Sequence, residues 1–165
     1  MSDFKRCLKT LELDKILNFL ADETALEDAR NLALATRPSN DFSEVERRLA
    51  NTNDAYTFMA RYAAPSFSGG KNVDGSLNRA DASAVLSTRE LLDIAETLRV
   101  IRSVRDWREN CSGMHNTSLE NLFSSLVPNK YLEEKITFAI KSEDEINDNA
   151  SSTLYDIRRK IAGKS

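Results

Sequence analysis

A chain of 165 residues can bury about two-thirds of the surface that its unfolded form exposes, so a single core suffices and length demands no second domain. Apolar residues make up 41% and charged residues 30%, with five glycines and three prolines, which excludes collagen-like and intrinsically disordered classes. The formal charge of −3 is spread over both halves and leaves no basic tail for nucleic acid, and no apolar run approaches the roughly 20 residues that span a bilayer.

The first predicted helix carries Leu13, Ile16, Leu17 and Leu20 on one face. Thr24 with Glu27 three residues later fits a capping box, which predicts a second helix with Leu26, Ala29, Leu32 and Ala33 as its buried stripe. Arg37-Pro38 stops that helix, because the residue before proline is pushed out of helical dihedrals. Ser39 or Asp41 can cap a third helix, with the stripe Phe42, Val45, Leu49, Tyr56 and Met59.

Residues 63–75 gather Pro65, serines and three of the five glycines into a loop. A short helix through Leu77, Ala80 and Ala84 follows, and Ser87 with Glu90 forms a second capping box. It opens the longest run, striped by Leu91, Ile94, Leu98, Ile101 and Val104. The stretch 111–116 breaks the pattern and reads as a surface loop, after which Thr117 and Glu120 make a third box. Asn129 can cap a helix bearing Leu132, Ile136 and Ala139. Residues 143–150 are polar and turn-prone, and Ser151 or Ser152 can cap a last helix through Leu154, Ile157 and Ile161. That helix runs out at Gly163, so the chain reads as truncated. The expectation is an all-α bundle of about seven or eight helices. Residues 1–142 form its core, and 143–165 form a turn and the start of a longer helix.

Catalytic chemistry has few candidates. Cys7 and Cys111 lack a C-x-x-C partner and no signal-peptide pattern precedes them, so both read as reduced cytosolic thiols. His115 is the single histidine; it lies in the same connector as Cys111 and Ser112, with no oxyanion element beside it. Cys7, Cys111 and His115 offer fewer ligands than the four of a structural zinc site. Gly69-Gly70-Lys71 fails as a phosphate loop, with Pro65 where glycine is needed and Asn72 where Ser or Thr is needed. The acidic cluster Glu143, Asp144, Glu145 and Asp148 lacks the ligand order of a calcium loop. We therefore expect no catalytic, cofactor-binding or metal residues.

One basic series remains. Arg99, Arg102, Arg105 and Arg108 wind around the long helix with Asp106 and Glu109 between them. They read as a solvated face of intrahelical ion pairs, with a nucleic-acid or partner surface as the alternative. Trp107 beside them reads as a packing residue that could otherwise stack on a base.

Four stretches in order resemble the N-terminal region of the second bacterial MutS paralogue family, MutS-two. They are Thr10 to Ile16 (TLELDKI), Arg37-Pro38-Ser39, Val85-Leu86-Ser87 with Glu90-Leu91-Leu92, and Ile146 to Ser151 (INDNAS) leading to Ile157-Arg158-Arg159-Lys160-Ile161. Residues 63–75 depart from the shorter, more apolar connector of that family. The resemblance implies a helical core and the beginning of a lever, with Glu12, Asp14, Asp148, Arg158 and Arg159 as interdomain or lever contacts. It implies a cytoplasmic protein that is, at full length, a homodimeric ATPase using ATP and Mg, often with an endonuclease domain. Such proteins are associated with branched DNA, in recombination suppression, and with collided ribosomes. The segment itself would be non-catalytic and would pack on its own ATPase domain. A freestanding helical adaptor is the alternative, and no membrane partner is implied.

Overall fold

A computed structural model of the chain describes residues 10–163. Among them are eight α-helices and one two-stranded hairpin, in two compact units. The first unit takes the described residues up to Ser68 together with Cys111–Phe123, and the second takes Gly69–Asn110 with the described residues from Ser124 onward. The all-α expectation holds, and residues 143–163 lie inside the second unit. Cys7 lies outside the described residues.

In the first unit, α1 (Leu13–Asp22) packs on α2 (Glu27–Ala35), burying Leu17, Ala21 and Ala33. Arg30 Nη1 donates to Asp22 Oδ1 at 2.8 Å and ties the end of α1 to α2. The Thr24 capping box does not form. Its hydroxyl donates instead to the carbonyl of Ala21 at 2.7 Å, closing the end of α1, and α2 starts at Glu27 without a side-chain cap. Threonine readily serves a nearby carbonyl in this way, and here the preceding helix wins it. Three predicted stripe residues, Ile16, Leu20 and Leu32, are exposed.

Asp41 does cap α3 (Phe42–Tyr62), its Oδ1 accepting from the amide of Glu44 at 3.1 Å. The buried face of α3 is not the predicted one. Phe42, Leu49, Tyr56 and Met59 are 77%, 65%, 72% and 55% exposed, whereas Phe58 is 1% exposed. Asp54, Phe58 and Tyr62, spaced four residues apart, face inward together. Asp54 accepts from the amide and the hydroxyl of Ser118, both at 2.8 Å. Phe58 meets Phe123 edge-on at 5.7 Å. The Tyr62 hydroxyl accepts from the amide of Gly113 at 2.8 Å, where a Cβ would crowd it at 2.6 Å. The segment 111–116 is therefore no surface loop throughout: Cys111 and Met114 are buried, and His115 is exposed.

In the second unit, α4 (Asp74–Asp81) ends before Ala84. The Ser87 capping box forms in both directions. The Ser87 amide donates to Glu90 Oε2 at 2.8 Å, and the Glu90 amide donates to Ser87 Oγ at 3.3 Å. It opens α5 (Thr88–Asn110), which packs on α7 (Lys130–Ala139) and the residue after it through Ile94, Ala95, Ile136 and Ile140. The short α6 (Glu120–Ser125), most of which belongs to the first unit, precedes α7 in the chain, with Thr117 Oγ1 donating to Glu120 Oε1 at 3.4 Å. Asn129 caps α7, accepting from the amide of Leu132 at 3.1 Å. The predicted polar turn is a short antiparallel hairpin, β1 (Ile140–Ser142) with β2 (Glu145–Ile146). The Asn147 side chain and amide donate to the carbonyls of Phe138 and Ala139, each at 2.9 Å, so the hairpin returns onto the end of α7. A 3-10 turn (Asp148–Ala150) leads to α8 (Ser152–Ala162), capped by Ser151 Oγ on the amide of Leu154 at 3.1 Å. Among the described residues no helix is long and apolar enough to cross a membrane.

Candidate functional site

In the arginine series of α5, Arg99, Arg102 and Arg105 each pair with a carboxylate of their own helix, and Arg102 also reaches across to α7. Arg102 grips Glu133 of α7 with two parallel bonds, Nε to Oε2 at 3.0 Å and Nη2 to Oε1 at 2.7 Å. Glu133 is the one charged side chain in the buried set of the described residues, which is tolerable because the bidentate guanidinium satisfies both oxygens. Those bonds hold the Glu133 carboxyl below the ordinary carboxylate range, against the opposing effect of burial. Arg99 pairs with Glu96 one turn earlier, its Nε donating to Oε2 at 3.0 Å. Arg102 also lies 3.8 Å from Asp106, and Arg105 lies 3.8 Å from Glu109. Arg108 and Trp107 are half-buried.

The start of α5 is tied to the hairpin. Thr88 Oγ1 donates to the carbonyl of Glu143, and Arg89 pairs with the Glu143 carboxylate and, at 3.5 Å, with Asp93. Coulombic attraction to Glu143 and the hydrogen bond to it raise the pKa of Arg89. An open cavity of about 320 Å³ lies here, lined by Arg89, Asp93, Glu96, Arg99, Glu133 and Glu143 among others. Its charges are opposite in sign and satisfy one another, so an entering anion would have to displace carboxylates.

The acidic cluster is divided among cations. Glu143 goes to Arg89, Glu145 accepts from Lys141 Nζ at 2.7 Å, and Asp148 pairs with Arg158. Among the described residues no group of three or more His, Cys, Asp or Glu could hold a metal ion. The glycine-lysine loop is also committed. Lys71 donates its amide to Thr97 Oγ1 at 3.1 Å, and Gly69, at φ 91°, lies where a Cβ would run into the side chain of Glu96.

The residues marked as lever contacts fall in different places. Arg158 Nη1 meets Asp148 and donates to the carbonyl of Ile146 at 3.1 Å, so α8 is fixed to the turn that precedes it. Arg159 is exposed in the last turn of α8. Glu12 and Asp14 belong to the first unit, where Glu12 accepts from Lys15 Nζ at 2.6 Å and Asp14 is exposed in the first turn of α1. Sequence reasoning missed Glu133. Its signal was present: Glu133 shares a helical face with Ile136, and a carboxylate on a buried face requires a partner.

This geometry defines a helical scaffold whose polar groups mostly tie its own helices together. The chain is 40% identical over 154 residues to Endonuclease MutS2 of Ruminiclostridium cellulolyticum, covering 93% of this chain and 19% of that protein. It is 37% identical over 161 residues to Endonuclease MutS2 of Acetivibrio thermocellus, covering 95% and 20%. A third relative of the same name, from Agathobacter rectalis, is 35% identical over 160 residues, covering 96% and 20%. No family model matches the chain. Its sequence is that of a MutS2-family segment, spanning about one fifth of the length of the curated relatives it matches.

Proposed function

We propose that this segment is a non-catalytic structural core of a MutS2-family ATPase, coupling nucleotide turnover to the clamp that grips branched DNA or a ribosome. The observation that carries this reading is the similarity itself, which runs through 93–97% of the chain yet meets only 19–20% of each relative. The chemistry named in those relatives, an endonuclease, then resides in the four fifths without a counterpart here, as would the ATP and Mg site. The segment would act in the cytoplasm, inside a homodimer, packed on its own ATPase domain.

The polar ties support a mechanical role. Thr88 and Arg89 hold Glu143, the hairpin continues to Ile146, and Arg158 holds Ile146 and Asp148. Movement of α8 is thereby linked to α5 through side chains that perform no reaction. In a full-length protein carrying this segment, Arg158→Glu should leave basal ATP hydrolysis intact and abolish its stimulation by branched DNA or stalled ribosomes. Undiminished stimulation, or hydrolysis of ATP or DNA by the 165-residue chain alone, would refute the proposal.

A second reading, a freestanding helical adaptor, is favoured by the exposed apolar stripe of α3. It predicts a specific partner captured by the chain without any ATPase.

A further inference from the structure

From the α3 stripe we infer a docking seam for a helix of the longer MutS2 polypeptide, an inference that rests on the proposed function above. Phe42, Val45, Leu49, Thr52, Tyr56 and Met59 occupy successive positions of a 3.5-residue repeat, the spacing by which two helices interlock side chains along a shared seam. Five of the six are apolar. The helix is 21 residues long, about 31 Å, which is enough for several interlocking layers.

This seam is distinct from the face that α3 uses within its own unit. Asp54, Phe58 and Tyr62 point inward, and at about 100° per residue they lie well over a quarter-turn from the midline of the seam. A helix whose inner face is filled gains nothing for its own unit from a second apolar face. Water-exposed Phe, Leu, Tyr and Met in strict register therefore point to a partner. At about 150–250 Å² each for the aromatics Phe42 and Tyr56, the four large side chains offer on the order of 600 Å², the low end of what one side of a specific interface contributes.

Two observations select the occupant. The relatives are about five times the length of this chain, so a large body of their sequence lies outside it and is available to cover the seam. A second copy fits less well. Laid parallel, it would set Asp41 against Glu46 of its partner across the flank of the seam, and Glu46 has no ion-pair partner of its own among the described residues. Laid antiparallel, it would centre on Leu49 against Thr52, placing the one polar seam residue in the middle layer. The partner helix is thus expected to carry its own 3.5-residue apolar repeat and a cation opposite Glu46.

Thiol labelling tests the seam without relying on activity. Leu49→Cys, Tyr56→Cys and the reference Ala50→Cys are made in the 165-residue chain and in a full-length MutS2-family protein that carries it, with label located by mass spectrometry. Positions 49 and 56 should react as fast as position 50 in the isolated chain. In the full-length protein they should be slowed at least 10-fold, with position 50 slowed far less. Equal rates in the two contexts, or equal protection at all three positions, would overturn the inference. Protection already present in the isolated chain and rising with concentration would overturn it in favour of a second copy. Loss of coupling in Arg158→Glu is a separate outcome, so failure of the seam and failure of the proposed function are distinguishable.

Discussion

Arg102 and Glu133 face each other from the middle of α5 and the first turn of α7, joined by two hydrogen bonds of 3.0 and 2.7 Å. Together with Ile94 and Ile136 this pair fixes how α5 and α7 register. Replacing Arg102 by Met strands a buried carboxylate, and melting at pH 7 should fall by about 5 °C.

That deficit should depend on pH. The Glu133 carboxyl lies below its ordinary range in the folded chain because Arg102 bonds the charged form. The pair contributes fully at pH values above the ordinary carboxylate range, and its contribution disappears as pH falls through and below that range. The gap in melting temperature between the parent chain and Arg102→Met should accordingly close as acid is added. Thermal scans between pH 7 and the acid limit measure it, and a gap that stays constant would exclude this account.

Ser87 and Glu90 exchange hydrogen bonds across the first turn of α5, with the Ser87 amide chiefly responsible for lowering the Glu90 pKa. Ser87→Ala should cost about 1 kcal/mol in urea unfolding. Ser87→Asp, which keeps an accepting oxygen at the cap, should recover most of it.

These caps were legible in the sequence because a cap is a local object: Ser87, Asn129 and Ser151 act on amides three residues away or less. Thr24 shows the limit, since its hydroxyl had two suitable targets and the carbonyl of Ala21 took it. The arginine series was visible as a pattern, but the 31 residues separating Arg102 from Glu133 concealed its strongest tie. For α3 the reading chose the more apolar of two faces, yet the fold buries the face holding Asp54, Phe58 and Tyr62. Their partners Gly113, Ser118 and Phe123 come from a distant connector and the short α6 that follows it, and helical periodicity carries no information about those.

Asp54 receives both bonds of Ser118, and the amide bond is the larger cause of its lowered pKa. Asp54→Ala removes the oxygen that accepts both bonds, whereas Ser118→Ala removes the hydroxyl bond alone. Melting temperatures should therefore rank parent, then Ser118→Ala, then Asp54→Ala. The reverse order of the two variants would show that the backbone bond is not the main tie.

The two faces of α3 give the sharpest contrast in stability. Phe58 is almost wholly enclosed, 5.7 Å from the ring of Phe123 and 6.4 Å from that of Tyr62. Truncating it to Ala removes those contacts and leaves a cavity, at a cost of about 3–5 kcal/mol. Tyr56, two residues earlier and also aromatic, has 72% of its surface in water, so Tyr56→Ala should change the stability of the isolated chain by no more than about 0.5 kcal/mol. Denaturant unfolding of both variants decides which face belongs to the core. If Tyr56→Ala proved as costly as Phe58→Ala, the α3 stripe would be packed within this chain. The docking seam would then have no vacant face to offer.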